Sequence, residues 1–127
     1  MSDKKTFIDY INDAKSRITE VDIDMAEQLI AAGHKVLDIR EPHEYSATRI
    51  KDSLNIPRGV LEPAACLAFE GANPALRDDR EDNWLVVCAT GGRAALATDT
   101  LQTMGFNNVA SIAGGINAWK DANKEIH

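Results

Sequence analysis

Apolar and polar positions along the chain form blocks that predict strands and helices in alternation. Short apolar runs bounded by turn residues predict buried strands, and apolar residues recurring every three or four positions predict amphipathic helices. The predicted strands are 19–23, 35–39, 53–56, 84–88 and 108–112, and the predicted helices are 6–18, 24–33, 42–47, 59–69, 93–104 and 116–123. This alternation favours one α/β domain with a mainly parallel, five-stranded sheet.

Capping residues place the starts of several helices. Thr6 followed by Asp9 has the form of a capping box, and Asp24 followed by Glu27 repeats it for the second helix. Pro42 suits the first turn of the third helix. The apolar residues of the first helix fall on one face, so we expect that face to pack: Phe7, Ile11, Ala14 and Ile18.

The region between the third strand and the centre of the chain changes from apolar to polar. Residues 59–69 predict a helix, and Cys66 lies among apolar residues there, which assigns it to the core. Residues 70–83 predict a solvated surface connection with one helical turn at 73–76. Trp84 and Trp119 stand at ends of elements and are predicted to pack.

The stretch from Trp84 to Ala97 carries the strongest chemical signal. An apolar run ends on Cys88, two glycines follow within four residues, and Arg93 opens the next helical pattern. Glycines let successive N–H groups turn inward, and the helix N-terminus presents unpaired N–H groups to the same point. An anionic thiolate is stabilised there, and ligands of α/β folds bind beyond such strand ends. The geometry therefore suits a nucleophilic cysteine.

Charged residues also gather where the second predicted strand meets the third helix. Asp38, Arg40 and Glu44 lie within seven positions of one another. We expect an Arg40–Glu44 or an Arg40–Asp38 ion pair that braces the site, in preference to a catalytic role.

Three further polar residues are candidates for the same site. The sequence pattern predicts one role for the first and leaves two alternatives for each of the others. Arg93 is predicted to face an anion, because a cation at a helix N-terminus otherwise opposes the dipole. Arg58 follows a strand end on the same predicted edge as Cys88, where it either meets an anionic substrate or is exposed. Thr90 either donates its hydroxyl to a bound anion or is a small polar filler.

Composition narrows the classes of function. The 127 residues suffice for one domain with a core, and 44% hydrophobic and 27% charged residues are typical of a soluble globular protein. A net charge of −6 argues against binding to nucleic acid or to an anionic membrane. The chain shows neither a signal-peptide core nor a membrane span, so the cytoplasm is the expected location.

Cysteine and histidine spacing predicts no metal site. Cys66 and Cys88 lack CxxC spacing, and a disulfide between them is disfavoured in a reducing compartment. The three histidines are scattered: His34, His43 and His127.

The loop that begins at Cys88 resembles the active-site loop of rhodanese-type sulfurtransferases. Four blocks in the family's order carry this resemblance over about residues 24–120. They are VLDIRE at 36–41 followed by Glu44 and Tyr45, IKDSLNIP at 50–57, CATGGR at 88–93 and GGINAW at 114–119. The family usually has Gly-His-Ile where this chain has Thr48, Arg49 and Ile50, so the detail of that turn differs.

The resemblance implies a rhodanese-like fold, with the five-stranded parallel sheet flanked by helices on both faces. It assigns residues 21–127 to the rhodanese-like domain and leaves residues 1–20 as an N-terminal helical extension. The helix of the extension either packs on the domain or mediates dimerisation, so both a monomer and a homodimer stay open.

The resemblance also implies a reaction. Cys88 would take a sulfane sulfur from a small anionic donor such as thiosulfate, carry it as a persulfide, and pass it to cyanide, a thiol or a protein cysteine. No metal or organic cofactor is implied. The implied anion-binding loop comprises Ala89, Thr90, Gly91, Gly92 and Arg93.

Two other functions compete with sulfur transfer. Cysteine phosphatases of a related fold have five residues between cysteine and arginine, whereas four separate Cys88 from Arg93, and this count favours sulfur over phosphate. The other is a non-enzymatic rhodanese-like module that binds a partner or senses redox state. In a redox sensor Cys66 would have to act as the resolving thiol.

Overall fold

Five parallel strands form the sheet of this protein. The computed structural model describes residues 3–127. The strands are β1 (Glu20–Val21), β2 (Lys35–Asp38), β3 (Leu54–Asn55), β4 (Trp84–Val87) and β5 (Val109–Ile112). Their order across the sheet is β1-β5-β4-β2-β3, and every neighbouring pair is parallel. The predicted α/β class and five-stranded parallel sheet are confirmed.

Helices cover both faces of the sheet, as predicted. They are α1 (Phe7–Lys15), α2 (Ile23–Ala31), α3 (Pro42–Ala47), α4 (Leu61–Ala65), α5 (Pro74–Arg77), α6 (Gly92–Thr103) and α7 (Gly115–Asp121). Helices α4, α5 and α6 build the core on one face, and α2 and α7 build it on the other. Within residues 3–127, none of the helices has the length and apolar character needed to cross a bilayer.

Strand β4 lies at the centre of the sheet and is buried on both faces. Val86 and Cys88 belong to the core under α6, whereas Leu85 and Val87 belong to the core under α7. A parallel strand covered on both sides needs apolar residues at every position, which accounts for the unbroken apolar run in the sequence.

The carboxyl ends of β2 and β4 lie side by side. Asp38 pairs in register with Val87, and the Ile39 N–H donates to the Val87 carbonyl at 3.0 Å. The connection after β2 and the loop that begins at Cys88 therefore lie at the same edge of the sheet.

Two predicted helices differ from those in the structure. Helix α2 begins at Ile23, and Asp22 caps it by accepting from the Met25 N–H, so the predicted start at Asp24 was wrong. Strand β1 ends at Val21, which leaves Asp22 free to cap. The predicted helix 59–69 is a 3-10 turn at Arg58–Val60 followed by the short α4.

Helix α4 ends early because the apolar residues after it are not buried. Cys66 adopts an extended backbone, and Leu67 and Phe69 are 71% and 49% exposed. The prediction that Cys66 is a core residue was wrong, since its side chain is only half-buried. In the predicted solvated stretch 70–83, the helical turn is present as α5, and it inserts the fully buried Leu76 into the core.

Helix α1 packs on α6 and runs in the same direction. A capping box of Thr6 and Asp9 starts the helix as predicted. At its far end, Arg17 forms an ion pair with Asp99 of α6 at 2.8 Å. Residues 1 and 2 of the predicted extension lie outside the described residues. Packing on the domain, one of the two expected roles of this helix, is what the structure shows.

Candidate active site

The loop after β4 directs two backbone N–H groups at the sulfur of Cys88. The amides of Gly91 and Ala94 donate to Sγ at 3.1 and 3.3 Å, and Cys88 is 1% exposed. Gly91 has a φ of +106°, a left-handed conformation that glycine adopts without strain and that turns the chain into α6. The sulfur therefore lies at the N-terminus of α6, where an anion is stabilised.

The hydrogen bond from the Ala94 amide to the Cys88 sulfur was not predicted from the sequence. The predicted anion-binding residues ended at Arg93, one position before the amide that reaches the sulfur. The helix start just before it was the available signal, because the first turn of a helix leaves its N–H groups unpaired.

A second helix N-terminus holds the same loop from the other side. The N–H groups of Ile116 and Asn117, in the first turn of α7, donate to the carbonyls of Cys88 and Ala89 at 2.8 and 3.0 Å. With these carbonyls fixed toward α7, the amides further along the loop are fixed toward Sγ. Gly114 and Gly115 entered the sequence-based predictions only as part of the GGINAW block of the family resemblance, so this support was also missed.

Gly115 permits the close approach of α7 to the loop. A Cβ at this position would lie 2.3 Å from the Cys88 carbonyl oxygen and 2.6 Å from that of Ala89. Its φ of +61° is also left-handed. Both the space and the backbone conformation therefore require glycine.

Asp38 and Arg40 form a buried ion pair beside the loop. The Arg40 Nε and Nη2 donate to the Asp38 carboxylate at 3.0 and 2.8 Å, and both side chains are almost fully buried. The guanidinium also donates to the carbonyls of Glu44 and Thr48. Of the two expected pairs this one forms, and its extra hydrogen bonds offset the cost of burying charge. It fixes the connection that leads into α3.

Glu44 pairs with Arg93 instead of with the side chain of Arg40. The Arg93 Nη1 and Nη2 donate to the two carboxylate oxygens at 2.8 and 3.0 Å, which is a bidentate geometry. The expected Arg40–Glu44 ion pair is therefore corrected. Within the protein, Arg93 faces the Glu44 carboxylate. The remaining N–H groups of Arg93 do not take part in this ion pair.

The ion pair shifts the titration of Glu44. Hydrogen bonding to Arg93 lowers the pKa of Glu44 from 4.5 to about 2, and burial opposes the shift. The folded-state pKa lies below the unfolded value, so the pair stabilises the fold above pH 4.5. The contribution is lost as the pH falls from 4.5 toward 2. Glu44 therefore stays ionised and bound to Arg93 at neutral pH.

The structure does not bring Arg58 to the loop. Its Nη1 donates to Glu62 at 2.9 Å and its Nη2 to Thr100 at 3.2 Å. Thr100 lies about 12 Å along α6 from Gly92, at 1.5 Å per helical residue. Thr90 is exposed in the loop itself. Cys88, Arg93, Glu44 and the Asp38–Arg40 pair are thus brought together, and Arg58 stands apart.

Comparison with known families agrees with this geometry. The family model described as "Rhodanese-like domain" matches residues 22–122, most of the chain. The chain belongs to the rhodanese-like family. The matched region includes the Cys88 loop, its α7 support and the Asp38–Arg40 pair, whereas α1 precedes it.

Several curated relatives of this rhodanese-like chain carry sulfurtransferase names. It is 33% identical over 115 residues to thiosulfate sulfurtransferase 16, chloroplastic, of Arabidopsis thaliana, covering 83% of this chain and 90% of that protein. Other relatives are longer: this chain spans 63% of the Arabidopsis protein HIGH ARSENIC CONTENT 1, mitochondrial, to which it is 30% identical.

Two solved structures are similar to this chain over most of its length. A Rhodopseudomonas palustris protein of unknown function, described as a possible tyrosine phosphatase, superimposes with a TM-score of 0.90 at 31% identity, covering 100% of this chain and 98% of that one. The human single-domain sulfurtransferase TSTD1 superimposes with a TM-score of 0.70 at 28% identity, covering 80% and 95%. The rhodanese-like fold predicted from the sequence is confirmed.

Proposed function

We propose that this protein is a sulfurtransferase that carries a sulfane sulfur on Cys88. The observation that carries the proposal is the pair of amides, from Gly91 and Ala94, that converge on Sγ at the N-terminus of α6. This arrangement stabilises both a thiolate and the persulfide anion that replaces it. Membership of the rhodanese-like family and the sulfurtransferase names of its relatives support the same chemistry.

In the first step the Cys88 thiolate attacks the outer sulfur of a donor such as thiosulfate. The S–S bond of the donor breaks, and sulfite leaves with the bonding electron pair. A new bond from Sγ to the transferred sulfur forms the persulfide, so total charge is conserved. The resulting anion lies in the loop of Ala89 to Arg93, at the N-terminus of α6 whose amides already face Sγ.

In the second step a thiophilic acceptor removes the outer sulfur of the persulfide. Cyanide attacks that sulfur, the Sγ–S bond breaks, and thiocyanate and the Cys88 thiolate are released. We propose a thiol or a protein cysteine as the acceptor in a cell. The cytoplasm stays the proposed location.

Intact-mass spectrometry tests the proposal directly. We expect the protein to gain one sulfur atom on incubation with thiosulfate, and to lose it on addition of cyanide as thiocyanate forms in equal amount. Steady-state rates should follow ping-pong kinetics, because the modified enzyme is a true intermediate. Absence of uptake from thiosulfate and from organic sulfane donors alike would overturn the proposal. It would favour the partner-binding module.

Phosphatase activity is the second candidate, because the Rhodopseudomonas palustris neighbour is described as a possible tyrosine phosphatase. The loop from Cys88 to Arg93 has six residues, one fewer than the phosphatase pattern noted above. We expect no hydrolysis of an aryl phosphate under conditions in which thiosulfate transfers sulfur. Turnover of the phosphate that depends on Cys88, without sulfur uptake, would establish the phosphatase instead.

Glu44 is expected to act as a positioning residue for Arg93. Glu44→Gln removes the charge that holds the guanidinium, so kcat/KM for thiosulfate should fall about tenfold through misplacement of the loop cation. Glu62→Gln is the matched control, because it breaks the Arg58 pair and leaves the loop untouched. If both variants lose activity equally, Glu44 has no specific effect on the site. The acid titration of stability should also lose its component between pH 4.5 and 2 in Glu44→Gln.

A further inference from the structure

We infer that Phe7 is a specificity-determining residue, whose ring forms an apolar wall beside the Cys88 loop. It would favour donors in which the transferable sulfur is attached to an organic group, of which aryl thiosulfonates are the simplest, over inorganic thiosulfate. The inference rests on the proposed function. It assigns a role to α1, which lies before the residues that the rhodanese-like family model matches.

The direction of α1 brings its first turn to the active-site edge of the sheet. Arg17, just beyond the end of α1, bonds to Asp99 and to Gln102 near the end of α6. Phe7, the first residue of α1, and Ile11, one turn further along it, lie at Gly92, the first residue of α6. The two helices are therefore parallel, and both N-termini lie where Cys88 lies.

The Phe7 ring reaches a residue of the loop itself. An ideal Cβ on Gly92 would be 3.3 Å from Phe7 Cζ and 2.8 Å from Ile11 Cδ1. Gly92 directly follows Gly91, whose amide donates to the Cys88 sulfur. The absence of a side chain at Gly92 thus lets α1 approach, and it places the ring one residue from the sulfur-binding amide.

Packing of α1 does not account for the aromatic ring. Ile11 and Ala14 are buried and supply the contact with the domain, whereas Phe7 is 60% exposed. Most of the Phe7 surface therefore stays in water in the folded protein. A substrate that covers the ring removes this apolar surface from water, which favours binding.

Charge favours the same class of donor. Thiosulfate is a dianion, whereas an organic thiosulfonate carries one negative charge and an apolar group. The protein has a net charge of −6, so the monoanion meets less repulsion on approach. The aryl group can stack on or meet the edge of the Phe7 ring, an attraction that thiosulfate does not gain.

Sulfur transfer from benzenethiosulfonate to Cys88 conserves atoms and charge. The Cys88 thiolate attacks the outer sulfur of benzenethiosulfonate, the S–S bond breaks, and benzenesulfinate leaves with the electron pair. The same Cys88 persulfide forms as with thiosulfate, and no oxidant or reductant is needed.

The test compares kcat/KM for benzenethiosulfonate and for thiosulfate in the wild type, Phe7→Ala and Phe7→Leu, with cyanide as acceptor. We expect the wild type to prefer the aryl donor, and Phe7→Ala to reduce that preference about fivefold by loss of the ring contact. The thiosulfate rate should stay unchanged, and it reports in the same assay that the site is intact. Phe7→Leu should retain an intermediate preference, since it keeps an apolar side chain.

Phe69→Ala is the matched control. Phe69 is also an exposed aromatic residue, but it lines a depression with Met104 at the far end of α6, about 18 Å from the loop. Its removal should leave the preference unchanged. The inference is overturned if Phe7→Ala changes both donors equally or neither, or if Phe69→Ala has the same effect. Failure of the wild type to take sulfur from either donor would instead overturn the proposed function, and this inference with it.

Discussion

Cys88→Ser is expected to take up no sulfur from thiosulfate and to form no thiocyanate. The serine hydroxyl is not ionised at neutral pH and does not attack a sulfane sulfur, so the loss should be complete within detection. The stability of the fold should change little, because serine is close to cysteine in size and the amides of Gly91 and Ala94 can donate to its oxygen. Intact mass and thermal unfolding together measure both expectations.

Cys66→Ser is the matched control for the nucleophile. Cys66 lies half-buried beside Phe69 and Met104, in the depression at the far end of α6. We expect its variant to take up one sulfur atom at the rate of the wild type. If Cys66→Ser is as inactive as Cys88→Ser, the two thiols act together, as in a redox-sensing module.

Gly115→Ala is expected to reduce kcat/KM at least a hundredfold while Cys88 itself is unchanged. The new Cβ would collide with the carbonyl oxygens of Cys88 and Ala89, which are backbone atoms and cannot rotate away. The loop must then move from α7, and displacement of a reacting group by about 1 Å can cost a hundredfold in rate. The left-handed φ adds strain, so we also expect a loss of about 3 kcal/mol in the free energy of unfolding.

Gly59→Ala is the matched control for Gly115→Ala. It shows whether replacing a glycine at another position has the same effect. Nothing lies within 4 Å of a Cβ at Gly59, which does not have a positive φ. Its activity and unfolding midpoint should match the wild type. Wild-type activity in Gly115→Ala would show that the contact between α7 and the loop does not control the reaction.

The sequence predicted those parts of the site that follow from local pattern. An unbroken apolar run identified β4 as a buried strand, and this placed Cys88 at a strand end before a helix. Asp38 and Arg40 are two residues apart at the neighbouring strand end, and their pair was one of the two ion pairs expected for Arg40.

Contacts between distant residues could not be obtained in this way. The Glu44–Arg93 pair joins residues 49 positions apart, and it depends on how α3 turns after the buried Asp38–Arg40 pair. The support from α7 comes from hydrogen bonds of backbone amides. Such bonds do not depend on side-chain type, so the sequence indicates them only through Gly115. Cys66 was wrongly assigned to the core for another reason, since hydropathy does not distinguish an exposed apolar neighbour such as Leu67 from a buried one.

The parts that contact the Cys88 loop lie both before and after it in the sequence, and this fixes an order of assembly. During synthesis the cysteine follows α1 by some eighty residues. Ile116 and Asn117, which hold the carbonyls of Cys88 and Ala89, emerge later still. A nascent chain that ends before α7 therefore has the cysteine and its loop but lacks the hydrogen bonds that hold the loop. The proposed sulfur transfer is thus expected to require that α7 has been synthesised.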